Sequence, residues 1–276
     1  MTAPSGEAGP VAATVFSHAV PPVDDRGRRG QRGGLADPFE EMNPLSLPSE
    51  CSIPTLRAEV DHPENRARPD WLRSAFDRWS TFYDNPAVQA AVYRPVHSQV
   101  LRELRGDGAQ RILDVGCGTG ILASRIQREM GSGVEIFGCD WSAGMLERAV
   151  ARNPQVGWLQ ADAADLPFGD AVFDAVVTTE AFHWFPDQAS ALREFKRVLC
   201  PGGTVHIALI NPSTRFGARV LEAGSRAMGG VADWPTRADM HHRVEKAGFR
   251  VRQQRRTPRA FRMVVPTVLT SAVRDP

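Results

Sequence analysis

The sequence lacks several features that mark particular classes of protein. Its 276 residues contain no apolar run long enough to span a membrane. The first thirty residues lack the continuous apolar core of a signal peptide, and acidic residues interrupt their arginines, which argues against a transit peptide. We therefore expect a protein that works in the cytoplasm and does not associate with membranes.

Cysteine and net charge are also low. The four cysteines, at positions 51, 117, 139 and 200, contain no C-x-x-C pair, so no metal site is indicated. The formal net charge of +1 provides no general attraction to nucleic acid, which makes such a partner unexpected. A composition of 42% hydrophobic and 24% charged residues suits one globular α/β domain with an extension.

The extension is predicted at residues 1–66, which are rich in proline, glycine and arginine. Few large apolar side chains occur there, so burial cannot offset the entropy of ordering, and we expect disorder. The run Gly27–Gly34 could contact nucleic acid, but it is short and has no aromatic side chain to stack on bases. Residues 67–276 are then the folded domain.

A glycine-rich turn follows the first predicted strand of that domain. The apolar run 112–115 precedes glycines at 116, 118 and 120, and a helix follows in which Leu122, Ile126 and Met130 share one face. Glycine permits positive φ and close approach of a ligand to the backbone. The start of the helix offers N–H groups and a partial positive charge. This pattern predicts a pocket for a nucleotide-like ligand at the edge of a parallel sheet.

An acid next to this turn narrows the choice of ligand. The dinucleotide fingerprint G-x-G-x-x-G/A would need a small residue at Ile121, which disfavours a nicotinamide enzyme. Asp114, two residues before the first glycine, would repel a pyrophosphate but attract a cation. S-adenosylmethionine carries an ammonium, a sulfonium and a carboxylate, and no phosphate, so it fits better.

The stretch Ile112-Leu-Asp-Val-Gly-Cys-Gly-Thr-Gly120 resembles the first motif of the class I S-adenosylmethionine-dependent methyltransferases. The resemblance extends over about residues 70–276, and Phe76–Asp84 is similar to a segment of the small-molecule, quinone-biosynthesis type. It implies a doubly wound, Rossmann-like sheet of seven mostly parallel strands with a C-terminal antiparallel hairpin. Residues 67–108 would form lid helices and residues 109–276 the cofactor-binding core.

Apolar runs bounded by turn residues place the remaining strands. We predict them at 134–140, 156–162, 173–180, 204–210, 249–257 and 261–273, with Pro266 causing a bulge or break in the last. The segment Leu199–Gly203 resembles the family's helix-to-strand turn. Thr236 and Asp239 have the spacing of a capping box and predict a helix start.

The resemblance also implies which residues bind the cofactor. Asp114 would face the ammonium, and the amides of the glycine turn would face the carboxylate. Asp140 would accept hydrogen bonds from the ribose, and Asp162 from the adenine amino group. The implied set is Asp114, Gly116, Cys117, Gly118, Gly120, Asp140, Trp141, Met145, Asp162, Ala163 and Glu180.

The methyl acceptor is predicted from the loop after strand four. This loop lacks the Asn/Asp-Pro-Pro-Tyr pattern of amino-directed nucleic-acid methyltransferases, and residues 178–181 read Thr-Thr-Glu-Ala instead. Aromatic side chains suit a small organic acceptor methylated at oxygen or carbon. The predicted pocket walls are Tyr83, Phe182, Trp184 and Trp234. Two alternatives stay open, namely an RNA or protein methyltransferase and a catalytically inactive cofactor-binding protein in an assembly.

His183 is the candidate catalytic residue. It follows strand four by a few residues, and histidine titrates near neutral pH, so its imidazole could take a proton from a hydroxyl or an enol. The alternative is an aromatic-like pocket wall, or a cap for the helix after Pro186.

Overall fold

The computed structural model describes residues 89, 93–212, 214–227, 232–257 and 267–276. The predicted extension at 1–66, most of the predicted lid segment with Tyr83, and Pro266 lie outside these residues. Within the described part of the chain, no helix has the length and apolar character needed to cross a membrane.

Seven strands form one sheet in the order β3-β2-β1-β4-β5-β7-β6. Strands β1 to β5 run parallel, and β7 pairs antiparallel with both β5 and β6. The predicted fold class is therefore confirmed. The strands are β1 Arg111–Val115, β2 Glu135–Asp140, β3 Gly157–Gln160, β4 Phe173–Thr179, β5 Leu199–Ile210, β6 Phe249–Arg256 and β7 Thr267–Arg274.

Helices cover both faces of this sheet, because successive residues of a strand point to opposite sides. Leu113 and Val176 belong to one buried apolar cluster, whereas Ile112 and Val177 belong to the other. The apolar residues of β1 and β4 thus contribute to both buried clusters, one on each face of the sheet. The helices are α1 Arg94–Asp107, α2 Ile121–Met130, α3 Ala143–Arg152, α4 Gln188–Val198, α5 Arg215–Ala227 and α6 Arg237–Lys246, with a 3₁₀ turn at Phe182–Trp184.

Side-chain caps set the starts of several of these helices, α3 and α6 among them. The Ser142 hydroxyl accepts a hydrogen bond from the Met145 amide at 3.1 Å and begins α3. Thr236 and Asp239 form the predicted capping box at the start of α6, since each side chain accepts the other residue's backbone N–H. Such caps satisfy N–H groups that have no partner within the helix.

Strand β5 begins five residues earlier than predicted, at Leu199 rather than Thr204. The pairing with β4 jumps from Leu199 to Thr204, so the predicted turn is a bulge inside the strand. Gly202 has a φ of 78°, a conformation that a bulge can require and glycine adopts without strain. Of the predicted last strand, 261–273, the described residues 267–273 lie in β7, which ends at Arg274.

A buried polar network fastens the end of α1 to the sheet. The His206 ring lies 3.0 Å from both Asp107 Oδ2 and Ser271 Oγ, and Arg252 donates to Asp107 Oδ1 at 2.7 Å. Burial works to raise the pKa of Asp107, but the hydrogen bonds from His206 and Arg252 outweigh it and lower the pKa to about 2. Because His206 and Ser271 are fully buried, we assign the network a structural role.

Candidate functional site

A cavity of about 1010 Å³, measured out to its open mouth, lies at the carboxyl edge of β1, β2 and β4. The strand order reverses between β1 and β4, and doubly wound sheets bind ligands at such a point. The lining residues are Gln89, Tyr93, His97, Val115, Gly116, Cys117, Gly118, Thr119, Ile121, Leu122, Asp140, Trp141, Ser142, Met145, Ala161, Ala163, Thr179, Glu180, Ala181, Trp184 and Phe185.

The glycine turn forms the floor of the cavity in a left-handed backbone conformation. Gly116, Gly118 and Gly120 have φ values of 70°, 54° and 74°. The amides of Gly116 and Cys117 both donate to the Cys139 carbonyl, at 2.8 and 3.0 Å, which binds the turn to β2. A Cβ on Gly116 would lie 2.5 Å from Ala181 Cβ, so this position has room only for glycine.

Asp140 connects the turn to the start of α3. Its Oδ2 accepts from the Gly118 amide at 2.8 Å, and its Oδ1 accepts from the Ser142 amide at 2.9 Å. Each carboxylate oxygen has a second lone pair. The side chain can therefore hold the turn and still accept hydrogen bonds from a pair of hydroxyls in the cavity.

Asp114 lies behind the turn and is almost fully buried, so it does not line the cavity as predicted. Its Oδ2 has no hydrogen-bond partner among the described residues. Burial raises the pKa of Asp114 to about 8, the charge of Asp140 adds to the rise, and the Ala123 N–H opposes it. A cation bound on the other side of the turn would favour the ionised form. The buried Asp114 and the partly buried Asp140 thus fit a ligand with an ammonium group.

Nine of the predicted site residues line the cavity, and six others do not. Those on the wall are Gly116, Cys117, Gly118, Asp140, Trp141, Met145, Ala163, Glu180 and Trp184. Those elsewhere, besides Asp114, are Gly120, Asp162, Phe182, His183 and Trp234. Gly120 begins α2 and packs near Trp158. The Asp162 carboxylate accepts from the Ala164 amide at 2.9 Å, between the lining residues Ala161 and Ala163.

The placement of His183 corrects the prediction that it faces the transferred methyl. Its ring is buried and stacks on Trp234 with centroids 3.8 Å apart and planes 21° apart. Burial lowers the pKa of His183 to about 3, far from the near-neutral titration expected of a general base. The alternative role, an aromatic side chain that supports the pocket, agrees better with this geometry.

Phe182 and Trp234 form a layer behind the cavity rather than its wall. Phe182 is fully buried with its ring 5.5 Å from that of Phe185, and the Trp234 indole donates to Ser225 Oγ at 3.1 Å. A 3₁₀ turn advances about 120° per residue, so adjacent side chains point in different directions. Only Trp184 of the turn Phe182–Trp184 reaches the cavity.

Glu180 occupies a strained position on the cavity wall. Its φ of 53° is rare for a residue with a Cβ. The Glu180 amide donates to the Ala208 carbonyl at 2.7 Å, and its carboxylate accepts from Thr267 Oγ1 at 3.1 Å. Strain of this kind concentrates at functional sites, where the surrounding structure maintains it.

The sequence patterns missed one side of the cavity. Gln89, Tyr93 and His97, four residues apart, line it together. Their spacing of four residues is typical of one helical face. The apolar residues Val96 and Val100 have the same spacing and indicate the helix more directly. In the part of the chain that the structure describes, no group of three metal-ligating side chains could hold a metal ion.

Comparisons with known proteins agree with this geometry. A family model described as "Methyltransferase domain" matches residues 113–207. A 2-phytyl-1,4-naphtoquinone methyltransferase of Trichormus variabilis is 32% identical over 144 residues, which is 49% of this chain and 63% of that protein. The chain thus spans less than two thirds of that relative's length.

Two further similarities extend over more of the fold. A malonyl-[acyl-carrier protein] O-methyltransferase of Geobacter sulfurreducens is 35% identical over 193 residues, or 65% of this chain and 70% of that protein. The crystal structure of magnesium protoporphyrin IX methyltransferase from Synechocystis PCC 6803 with bound SAH has a TM-score of 0.57 and 20% identity. That match covers 75% of this chain and 97% of the other, and it concerns the fold alone.

Proposed function

Since this chain belongs to the class I S-adenosylmethionine-dependent methyltransferase family, we propose that it transfers a methyl group to a small organic acceptor, at oxygen or carbon. One observation carries the proposal. A single cavity joins the glycine turn and Asp140 on one side to the aromatic side chains of Trp184 and Phe185 on another. A cofactor and an apolar acceptor can therefore occupy adjoining parts of one site.

The polar part of the cavity suits the cofactor. Asp140 would accept hydrogen bonds from the ribose hydroxyls, and Met145 and Ala163 would lie against the adenine. The partial positive charge at the start of α2 favours a carboxylate, and Asp114 behind the turn favours an ammonium. These assignments cover the ribose, the adenine ring, the carboxylate and the ammonium of S-adenosylmethionine.

The remaining walls would position the acceptor and exclude water. S-adenosylmethionine, when bound, supplies a methyl group on a sulfonium that is a good leaving group. The chain's own contribution is to hold the acceptor against Trp184, Phe185 and Tyr93 in a fixed orientation, which can supply much of a rate enhancement. Because His183 is buried away from this wall, we propose that positioning contributes more to catalysis than proton transfer by that residue.

The proposal predicts selective binding of the cofactor. The protein should bind S-adenosylmethionine and S-adenosylhomocysteine saturably in titration calorimetry, with no saturable binding of NAD. Asp140→Ala should weaken binding by about 1 to 3 kcal/mol, because the ribose and the turn amides would lose an acceptor. Glu147→Ala, on the exposed face of α3, is the control and should bind as the wild type does.

Tight NAD binding, or an unchanged affinity in Asp140→Ala, would contradict the cofactor assignment. Transfer itself is measured with isotope-labelled S-adenosylmethionine against a panel of small quinol, phenol and carboxylic acid acceptors. Saturable cofactor binding without transfer to any member of the panel would favour the inactive alternative. Transfer to RNA, with strong salt dependence, would favour the other one.

We also propose that residues 67–276 fold without residues 1–66. A protein that starts at residue 67 should keep its cofactor affinity and lose less than about 5 °C in melting temperature, because residues 1–66 have few apolar side chains to contribute to a core. Thermal unfolding and calorimetry of both lengths test this. A larger drop in melting temperature would place part of residues 1–66 within the folded domain.

A further inference from the structure

We propose that His97 binds the amino-acid end of S-adenosylmethionine, through a hydrogen bond from its imidazole to the carboxylate. This assignment rests on the proposed function and extends it to a residue that the cofactor motifs do not include. Three features of His97 support it: its position beside α2, its buried ring nitrogen and its lack of charge.

The position of His97 is set by contacts between α1 and α2. Arg125 of α2 donates to the Arg94 carbonyl at 3.2 Å and to Ser98 Oγ at 2.9 Å. These partners lie three residues before and one residue after His97, so this part of α1 is held against the N-terminal half of α2. The start of α2 has a partial positive charge that favours an anion. The carboxylate is the anionic group of the cofactor.

The imidazole of His97 has an unused hydrogen-bonding atom. The side chain is only 4% exposed and lines the cavity, and its Nδ1 has no hydrogen-bond partner among the described residues. Tyr93 makes a ring contact with it at 6.2 Å between centroids, which leaves the nitrogen unsatisfied. Burying a polar atom without a partner is unfavourable, so a ligand group that supplies a partner is favoured.

His97 is neutral in the ligand-free protein. Burial, followed by the positive charge of Arg125, lowers the pKa of His97 to about 3. A neutral imidazole has one N–H donor, which can bind a carboxylate without placing a second full charge beside Arg125. His183 also has an unpartnered Nδ1, but that ring stacks on Trp234 away from the cavity wall.

The binding of two nucleosides can distinguish contacts with the amino-acid end of the cofactor from contacts with the rest of it. S-adenosylhomocysteine has the carboxylate, whereas 5′-methylthioadenosine has the same nucleoside and sulfur without the amino acid. His97→Phe keeps an aromatic ring and removes both nitrogens. In calorimetry of the full chain, this variant should bind S-adenosylhomocysteine about tenfold to a hundredfold more weakly. Its affinity for 5′-methylthioadenosine should change by less than about twofold, because no bond to that ligand is lost.

A stability measurement separates binding from a structural role. The ligand-free His97→Phe protein should melt at the wild-type temperature or above, because the substitution removes an unsatisfied buried atom. His241→Phe, a partly exposed position on α6, is the control and should leave both affinities unchanged. A melting temperature lower by more than about 5 °C in His97→Phe would show a structural role and overturn the proposal.

The binding results also distinguish this proposal from the proposed function. If the wild type binds neither nucleoside, the proposed function fails. If the wild type binds both, and His97→Phe weakens both equally or neither, the cofactor assignment stands and the role of His97 is refuted. Only a loss confined to S-adenosylhomocysteine supports His97 as the carboxylate's partner.

Discussion

Asp114→Asn should remove one contribution to the pH dependence of stability, a loss of stability that Asp114 causes between about pH 4 and pH 8. Burial raises the pKa of Asp114 to about 8 in the folded protein, whereas an unfolded aspartate titrates near 3.9. Between these values Asp114 is protonated more in the folded than in the unfolded state, so its contribution to the free energy of unfolding falls as pH rises. That contribution changes by at most about 6 kcal/mol, since one pKa unit corresponds to about 1.4 kcal/mol.

Urea denaturation of the ligand-free protein at a series of pH values measures this effect. The asparagine side chain has nearly the same shape and does not ionise. The free energy of unfolding of the variant should therefore rise relative to that of the wild type as pH increases, and the variant should be the more stable of the two at pH 8. Glu147→Gln changes an exposed acid and serves as the control. Parallel curves for Asp114→Asn and the wild type would refute a buried, protonated Asp114.

The same variant tests how the cofactor is held. At pH 7 Asp114 is mostly protonated, and an ammonium across the turn would favour ionisation, so binding of S-adenosylhomocysteine should release a fraction of a proton. Calorimetry in buffers of different ionisation enthalpy measures the number of protons released per ligand bound. Asp114→Asn should release none and bind about tenfold more weakly or worse, because it loses the negative charge. Equal proton release by both proteins would exclude Asp114 as its source.

Gly120→Ala should destabilise the protein by about 2 to 5 kcal/mol. Its φ of 74° costs a residue with a Cβ about 1 to 2 kcal/mol, and overpacking a core adds about 1 to 3 kcal/mol. The new Cβ would lie 2.5 Å from Trp158 Cη2 and 2.9 Å from Ala149 Cβ. Trp158 is fully buried and donates to the Asn153 carbonyl at 2.8 Å, so its indole has little freedom to move.

Gly108→Ala is the matched control for this substitution. Gly108 has a similar φ of 67° at the end of α1, and a Cβ there would meet nothing within 4 Å. Only the conformational cost should remain, about 1 to 2 kcal/mol by urea denaturation. Equal losses in the two variants would mean that the turn relaxes around the added methyl group and that contact with Trp158 does not restrict position 120.

Features that depend on neighbouring residues in the chain could be predicted from the sequence. The capping box of Thr236 and Asp239 needs only a spacing of three residues, and it occurs as expected. The glycine turn likewise depends on φ values that few other residues adopt. Alternation of apolar strands and amphipathic helices then limits the topology to a doubly wound sheet, which the structure confirms.

Features that depend on distant contacts could not be predicted in this way. The burial of His183 comes from Trp234, fifty-one residues later, and no local pattern relates the two. Strand β5 starts at Leu199 because that residue pairs with Phe173 of β4, a partner that the local turn pattern does not reveal. The exposure of His97 to the cavity depends on the contacts of Arg125 with α1. Each depends on tertiary packing, which a single sequence specifies only indirectly.

The position of β7 determines the order in which the sheet can be assembled. β7 lies between β5 and β6 but follows both in the chain, and β7 is the only described strand that pairs with β6. During synthesis, β1 to β5 can therefore pair and build the glycine-turn side of the cavity while the outer edge of β5 still has free N–H and C=O groups. An unpaired edge is a site for wrong association. The nascent chain therefore exposes this edge of β5 until Thr267–Arg274 leaves the ribosome.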